Sequence, residues 1–210
     1  RSSSANFFQE MIAGLTFIRN HHIFTFLLGM TFFNSFFGMS YILLMPVFQK
    51  DILNAGPSAL GLLLSMGGAG ALTGTAIVLS LGNFRRRGLL MIAGAVSFGC
   101  MVIAFAFSRW LPLSLLLVTL AGASSSIYMI IAQSTLHMLV PDHFRGRIMG
   151  FWGITYFMMP LGGFQAGLLA SFFSASVPVA MGGAAVVAFA LLGAARNPQI
   201  RRLGMPPDAT

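Results

Sequence analysis

The sequence predicts an all-α polytopic membrane protein, a bundle of six transmembrane helices. Of the 210 residues, 57% are apolar and only 8% are charged, and the mean hydropathy is +0.85. A soluble domain carries about 25% charged residues. A chain this poor in charge could not cover its own surface in water, so most of it must face lipid.

Six stretches contain no Asp, Glu, Lys, Arg or His and approach the roughly 20 residues that a helix needs to cross the hydrocarbon. They are Ile23–Phe48, Ser58–Leu81, Gly88–Phe107, Leu113–Leu136, Ile148–Leu169 and Pro178–Ala195. The strands of a β-barrel would be about 10 residues long and would alternate apolar with polar side chains. The connections between the stretches are short, so residues 23–195 are predicted to form one transmembrane domain.

Prolines support these boundaries. Pro57, Pro112 and Pro178 stand at or just before predicted helix starts, where a missing N–H costs nothing. Pro160 lies in the middle of the fifth stretch and is predicted to kink that helix, which neighbouring helices make tolerable in a membrane.

Residues 1–22 precede the first span and residues 196–210 form a C-terminal tail. Within Asn6–Arg19, apolar side chains recur at helical spacing and predict an amphipathic helix lying in the membrane interface. The alternative is a simple extension of the first span.

The orientation follows from the basic residues. Ten of the twelve lie before the first span, in the second and fourth connections, or in the tail. Lys50 and Arg109 lie on the other side. Cytoplasmic segments of membrane proteins are enriched in Lys and Arg, so both termini are predicted to be cytoplasmic, in a plasma or bacterial inner membrane.

No acidic or basic residue lies within any predicted span. A charge at the centre of a span costs about 2.5–3.5 kcal/mol and usually marks an ion path, so we expect no such path within these residues. The sequence also lacks a catalytic pair and a metal-spaced His or Cys cluster. It therefore predicts no enzyme, no cofactor and no metal. Because the basic residues are scattered between apolar runs, nucleic acid is not an expected partner.

Uncharged polar residues fall on helical stripes within three spans. In hydrocarbon such groups need partners, so these faces are predicted to point inward. Two interpretations stay open: a surface that lines a substrate cavity, or interhelical hydrogen bonding. The cavity candidates are Asn34, Tyr41, Ser126, Gln133 and Tyr156.

Small residues concentrate in the second and fifth spans, each of which contains a G-x-x-x-G pattern, Gly70–Gly74 and Gly163–Gly167. This spacing lets helix backbones approach closely where lipid supplies no hydrophobic force between helices.

Two connections on the predicted cytoplasmic side are rich in arginine. The first contains Arg85, Arg86 and Arg87; the second, Val140–Gly150, contains Asp142, Arg145 and Arg147. Anchoring at anionic headgroups explains the charge but not the order Pro-Asp-x-x-Arg-Gly-Arg.

Val140–Gly150 and the following Phe151–Gly163 resemble the loop and helix between the tenth and eleventh helices of major facilitator transporters. The resemblance is strongest to the branch with the enterobactin exporter and related drug and siderophore exporters. Gly61–Gly88 resembles the eighth helix and its following loop, and Glu10–His22 resembles the end of the central loop. The resemblance implies that these two connections are cytoplasmic gating loops, with Arg85, Arg86, Arg87, Asp142, Arg145 and Arg147 as the candidate gating residues. One departure is that Gly82–Gly88 lacks the aspartate often found in the family's gating loop, so a latch built on that acid is not implied.

The resemblance implies that the chain is the C-terminal half of a twelve-helix transporter. Its first and fourth spans would then line the central cavity, while its second and fifth spans would pack against an N-terminal six-helix half through Gly70, Gly74, Gly163 and Gly167. The third and sixth spans would face lipid. The expected function is export of a small amphipathic molecule, such as a drug or siderophore, by alternating access. The alternatives are a permease subunit of an ATP-driven transporter and a non-transporting scaffold. A membrane-embedded enzyme is disfavoured by the missing catalytic polar groups.

Overall fold

The computed structural model describes residues 15–16, 18–19, 21–82 and 86–201, and every regular element in these ranges is helical. Of the predicted interfacial helix Asn6–Arg19, only residues 15, 16, 18 and 19 lie within these ranges, and they are helical. The helices are α1 (His22–Ile52), α2 (Pro57–Leu81), α3 (Arg87–Phe107), α4 (Leu111–Leu139), α5 (Arg145–Tyr156), α6 (Met159–Phe172), α7 (Ser176–Arg196) and α8 (Pro198–Arg201).

Five helices, α1, α2, α3, α4 and α7, are long and apolar enough to cross a membrane. This confirms the all-α membrane bundle. The helices extend a few residues beyond the predicted apolar stretches and carry charged side chains at their ends, such as the exposed Lys50 and Asp51 of α1.

The predicted fifth span consists of two shorter helices. α5 ends at Tyr156 and α6 begins at Met159, one residue before Pro160. Proline has no N–H, so the Tyr156 carbonyl loses its usual helical donor. Regular bonding resumes where the Gly162 N–H donates to the Met158 carbonyl at 3.0 Å. The predicted kink at Pro160 is therefore a break between two helices.

α1 is long but irregular. It contains two π-helical turns, Asn34–Gly38 and Phe48–Ile52. In the first turn the Met39 N–H donates to the carbonyl of Asn34, five residues back, at 2.8 Å. A π turn holds an extra residue, and one residue of an α-helix corresponds to about 100° of rotation. Side chains before and after the turn therefore leave the register that a continuous α-helix would give them.

The core forms where α3 packs between α4 and α7, and where α2 packs along α4. The buried side of α3 shows helical periodicity: Met91, Ala95, Phe98, Val102 and Phe105 are almost completely enclosed. The middle turns of α1, residues 34–47, pack on α6 and α7. α2 is the least covered of the long helices, with a narrow buried stripe formed by Ala59, Leu63, Gly70 and Gly74.

The glycines of α2 make their close contacts inside this chain. A Cβ atom on Gly70 would overlap the backbone of Thr119 in α4, and one on Gly74 would overlap the backbone of Ala123. The sequence had assigned these glycines to contact with another six-helix half. The structure places them against α4 instead, because that helix also presents a small residue, Gly122, to α2.

The second G-x-x-x-G pattern divides between two environments. Gly163 is buried, and a Cβ atom there would overlap the Leu43 side chain of α1. Gly167 is exposed, with no described atom within 4 Å of the position of a Cβ atom. Of the four glycines, Gly167 alone remains available for the contact that the sequence analysis assigned to them.

The start of α3 and the end of α4 meet at one end of the bundle. The Arg87 guanidinium donates to Met138 Sδ at 3.4 Å. The short helix α8, which follows α7, packs against α3 and buries Ile200. The arginine-containing segments at the start of α3, after α4 and in α8 therefore lie at the same end of the bundle. Helices that cross the membrane in alternating directions require this arrangement.

We expect Gly70→Ala to lower the free energy of unfolding by about 1–3 kcal/mol, because the new methyl group forces α2 away from α4. Gly61→Ala is the matched control on the same helix, since a Cβ atom there meets nothing within 4 Å. It should be neutral or stabilising, because alanine favours helix over glycine. Thermal unfolding in detergent measures both variants, and equal stability of the two would contradict the α2–α4 contact.

Candidate functional site

A cavity of about 390 Å³ lies between α1, α2, α4 and α5. Among the residues that the structure describes, no acidic or basic side chain lines this cavity, and the lining combines methionine, tyrosine and serine with aliphatic residues and glycine. The lining residues are Met39, Tyr41, Ile42, Met45, Leu63, Leu64, Gly67, Gly68, Ala71, Gly122, Ser125, Ser126, Met129 and Tyr156. The cavity is a groove with an open side, since Leu64 and Tyr156 on its walls are 47% and 45% exposed.

Helical spacing brings the lining of α4 to one face. Gly122, Ser126 and Met129 are separated by four and three residues, which places them above one another. The neighbouring Ser124 faces away from the cavity and forms a hydrogen bond with Ser97 of α3, Oγ to Oγ, at 3.0 Å. Ser124 therefore bonds between helices, while Ser125 and Ser126 belong to the cavity wall.

Three of the five predicted cavity residues line this groove. Tyr41 is nearly buried, and its ring packs edge-on against Phe105 with the centroids 6.0 Å apart. Tyr156 is more exposed and stacks on Trp152, also at 6.0 Å. Ser126 is half-buried on the α4 wall. A role for these residues in binding stays a prediction.

Gln133 and Asn34 do not line the groove. Gln133 is half-buried on α4, two turns beyond Ser126. Asn34 is completely buried, and its amide forms no hydrogen bond with any residue that the structure describes.

The π turn explains the position of Asn34. The sequence analysis placed Asn34 in line with Tyr41, seven residues later, by assuming about two α-helical turns between them. The intervening π turn changes that register. The Asn34 side chain instead lies beside Gly38, where a Cβ atom would contact Phe98 of α3 and Val186 of α7. Asn34 therefore faces the core and not the groove.

The sequence analysis missed the contribution of α2 to the cavity. Leu63, Leu64, Gly67, Gly68 and Ala71 form one wall. The concentration of small residues in this span was visible in the sequence, but it signalled a close contact between helices. The same small side chains also leave the space that the groove occupies.

The predicted gating residues lie at the arginine-rich end. Arg85 is outside the described residues, and Arg86 is exposed. Asp142 accepts from Arg145 at 2.8 Å, and the Arg147 guanidinium lies 5.5 Å from the centre of the Phe144 ring.

The Asp142–Arg145 pair is largely solvent-exposed, so it adds at most about 1 kcal/mol to stability. Within the described residues, no group of three His, Cys, Asp or Glu side chains is arranged to hold a metal ion. A gating role for the arginine-rich loops stays a prediction.

A family model described as a transmembrane secretion effector matches residues 2–204, which is nearly the whole chain. No curated protein matches it.

We expect a cysteine at Ser126 to react with a small membrane-impermeant thiol reagent roughly tenfold or more faster than one at Ser114, since reaction needs an accessible thiolate. The two serines lie on the same helix, but Ser114 is completely buried and donates to Ser108 Oγ at 2.8 Å. Both substitutions are made with Cys100→Ala, which removes an exposed native thiol. Equal rates would show that water does not reach the groove.

We expect Asn34→Leu to raise the free energy of unfolding by about 1–3 kcal/mol, because it removes a buried amide without a protein partner and keeps a similar shape. Thr31→Val is the control one turn earlier. The Thr31 hydroxyl donates to the Leu27 carbonyl at 3.0 Å, so its loss should lower stability by about 0.5–1.5 kcal/mol. Destabilisation by Asn34→Leu would indicate that the amide has a partner in the membrane.

Proposed function

This chain belongs to the family of transmembrane secretion effectors, which are membrane transporters of the major facilitator type, and from that premise we propose that it exports a small amphipathic molecule through the groove beside Tyr41 and Ser126. The proposed mechanism is secondary active transport by alternating access. A drug-like or siderophore-like compound is the expected cargo.

The observation that carries the proposed cargo is that none of the described residues lining the groove is acidic or basic. A charged compound entering this groove would lose its hydration without gaining an opposite charge. Methionine side chains adapt to irregular apolar shapes, and tyrosine adds an aromatic face with a hydroxyl. Met39, Met45 and Met129 with Tyr41 and Tyr156 therefore suit an uncharged, partly aromatic molecule.

The open side of the groove supports the proposal that this chain is half of a transporter. Tyr156 and Leu64 are exposed although they line the cavity. A second six-helix unit placed against α2 and α6 would close that side and would cover Gly167. Rocking of the two units would then expose the groove to each side of the membrane in turn.

Blocking the groove with a single substitution tests whether transport passes through it. Ser126→Trp fills the cavity and should reduce efflux of an uncharged aromatic dye from vesicles containing the complete transporter to the level of empty vesicles. Leu192→Trp is the control, because Leu192 is 55% exposed on α7 and outside the groove lining. Both variants are first checked for normal elution in detergent. Equal efflux by Ser126→Trp and the unaltered protein would contradict the site.

The energy source for efflux distinguishes secondary transport from an ATP-driven permease. Efflux should follow an imposed ion gradient and should not require ATP. Efflux that needs ATP and an added ATPase subunit would overturn secondary transport while leaving the groove itself in place.

We propose that both termini are cytoplasmic, since the shared end of α3, α4 and α8 carries Arg87, Arg145, Arg147 and Arg201. Reporter fusions after Gly82 and Val140 should report the cytoplasm. Fusions after Asn54 and Arg109 should report the opposite side. A cytoplasmic signal from either of the last two would reverse the orientation.

A further inference from the structure

Asn34 occupies an unfavourable position. Its side chain is completely buried, and neither atom of its amide group forms a hydrogen bond with any residue that the structure describes. A buried polar group without a partner has lost its bonds to water and gained none in return. Such groups are rare in native proteins, and each one requires a physical explanation. An arrangement in which this amide meets water or a polar ligand would have a lower free energy at this residue.

The π turn Asn34–Gly38 directs the Asn34 side chain into the core. π turns are rare and occur frequently at functional sites. Without the extra residue of the turn, Asn34 and Tyr41 would be about two α-helical turns apart and would lie on the same face of α1. Tyr41 lines the groove. An α-helical register between these two residues would therefore bring the Asn34 amide to the groove.

The π turn can move along α1 by an exchange of backbone hydrogen bonds, since each bond that spans five residues is replaced by one that spans four. Side-chain hydroxyl groups lie beside the turn and one helical turn before it. The Ser40 hydroxyl donates to the Phe37 carbonyl at 2.6 Å, and the Thr31 hydroxyl donates to the Leu27 carbonyl at 3.0 Å. These hydroxyls can satisfy carbonyls that lose a backbone donor while the turn moves.

The first turn of α6 holds the π turn in its present place. A Cβ atom on Gly162 would overlap the backbone of Phe36, so the two backbones are in direct contact. Gly162 immediately follows the break between α5 and α6, and the two irregular segments of the backbone therefore touch. Tyr156, at the end of α5, and Tyr41, after the π turn, both line the groove. A molecule in the groove would contact the chain on both sides of this junction.

We propose, on the basis of the proposed transport function, that Asn34 is a specificity-determining residue that enters the groove when the π turn moves toward the N-terminus. Residues 34–38 then adopt the α-helical register of Tyr41, and the Asn34 amide forms hydrogen bonds with the transported molecule. An amide both donates and accepts, so the matching cargo is an uncharged aromatic molecule that carries a carboxamide or a similar polar group. Binding of this group shifts the population from the buried to the exposed position of Asn34.

The reactivity of a cysteine at position 34 tests the movement without requiring transport. With Cys100→Ala, we expect Asn34→Cys in the complete protein in detergent to react with a small membrane-impermeant thiol reagent roughly tenfold or more faster than Ser114→Cys. Ser114 is equally buried, but it lies on α4 outside the groove lining. Equal rates at the two positions would overturn the proposal.

Two glycine substitutions on either side of the break test the role of α6. Gly162→Ala pushes on the Phe36 backbone and should raise the reaction rate of Asn34→Cys roughly threefold or more, because it disfavours the present position of the turn. Gly153→Ala on α5 is the matched control, since a Cβ atom there meets nothing within 4 Å, and it should leave the rate unchanged. Normal elution in detergent confirms that each variant is folded.

The same measurement with Ser114→Cys in both glycine variants detects a general loosening of the bundle. A rate increase at position 114 equal to that at position 34 would contradict the movement of the π turn. Equal rates at position 34 in Gly162→Ala and Gly153→Ala would contradict it as well.

The recognition of cargo by Asn34 is tested with two uncharged coumarins, one with a primary carboxamide and one with a methyl ester in its place. Asn34→Leu should lower the ratio of carboxamide efflux to ester efflux about tenfold, the factor that corresponds to one typical hydrogen bond. Asn34→Gln should restore part of this ratio, because it keeps the amide. An unchanged ratio in Asn34→Leu would overturn the role of Asn34 in specificity.

These results separate the proposal from the transport function on which it rests. Efflux of both coumarins with equal cysteine rates at positions 34 and 114 would contradict the movement of Asn34 alone. Fast reaction at position 34 without efflux of either coumarin by the unaltered protein would contradict the proposed transport and leave the movement in place.

Discussion

Inside a bilayer no water is available to the backbone, so every N–H and C=O group must find a partner within the protein. This constraint governs the structure. It makes every regular element of the described chain a helix, and it confines the irregular backbone to a few places. One is the break before Pro160, where a carbonyl loses its donor. The others are the two π turns of α1, where the hydrogen bonds continue at a wider spacing.

The same constraint controls how the helices meet. Lipid is as apolar as the helix surfaces, so helices associate through close van der Waals packing and not through exclusion of water. α2 and α4 achieve this at Gly70, Gly74 and Gly122, where the backbones touch. Backbone atoms of Gly67 and Ala71 lie close to Gly122 in the same contact, and together with Gly68 these two residues also line the groove. The groove and the tightest helix contact are therefore two sides of one arrangement.

Charge is excluded from the interior and concentrated at the ends. The described residues of the groove walls include no acidic or basic side chain, which suits an amphipathic cargo, whereas the described arginines lie at or near helix ends.

The sequence by itself determined the class of this protein and its helical spans, because crossing hydrocarbon requires about 20 apolar residues and local proline chemistry marks where helices start or break. Periodicity placed Tyr41, Ser126 and Tyr156 on polar stripes of three different spans, and in the structure all three line one groove. Tertiary structure decided the rest. A G-x-x-x-G pattern predicts a close approach but does not name the partner, which proved to be α4 for Gly70 and Gly74. Asn34 left its predicted stripe because a π turn adds a residue, and the hydrogen-bonding register of a long helix depends on the neighbours packed against it.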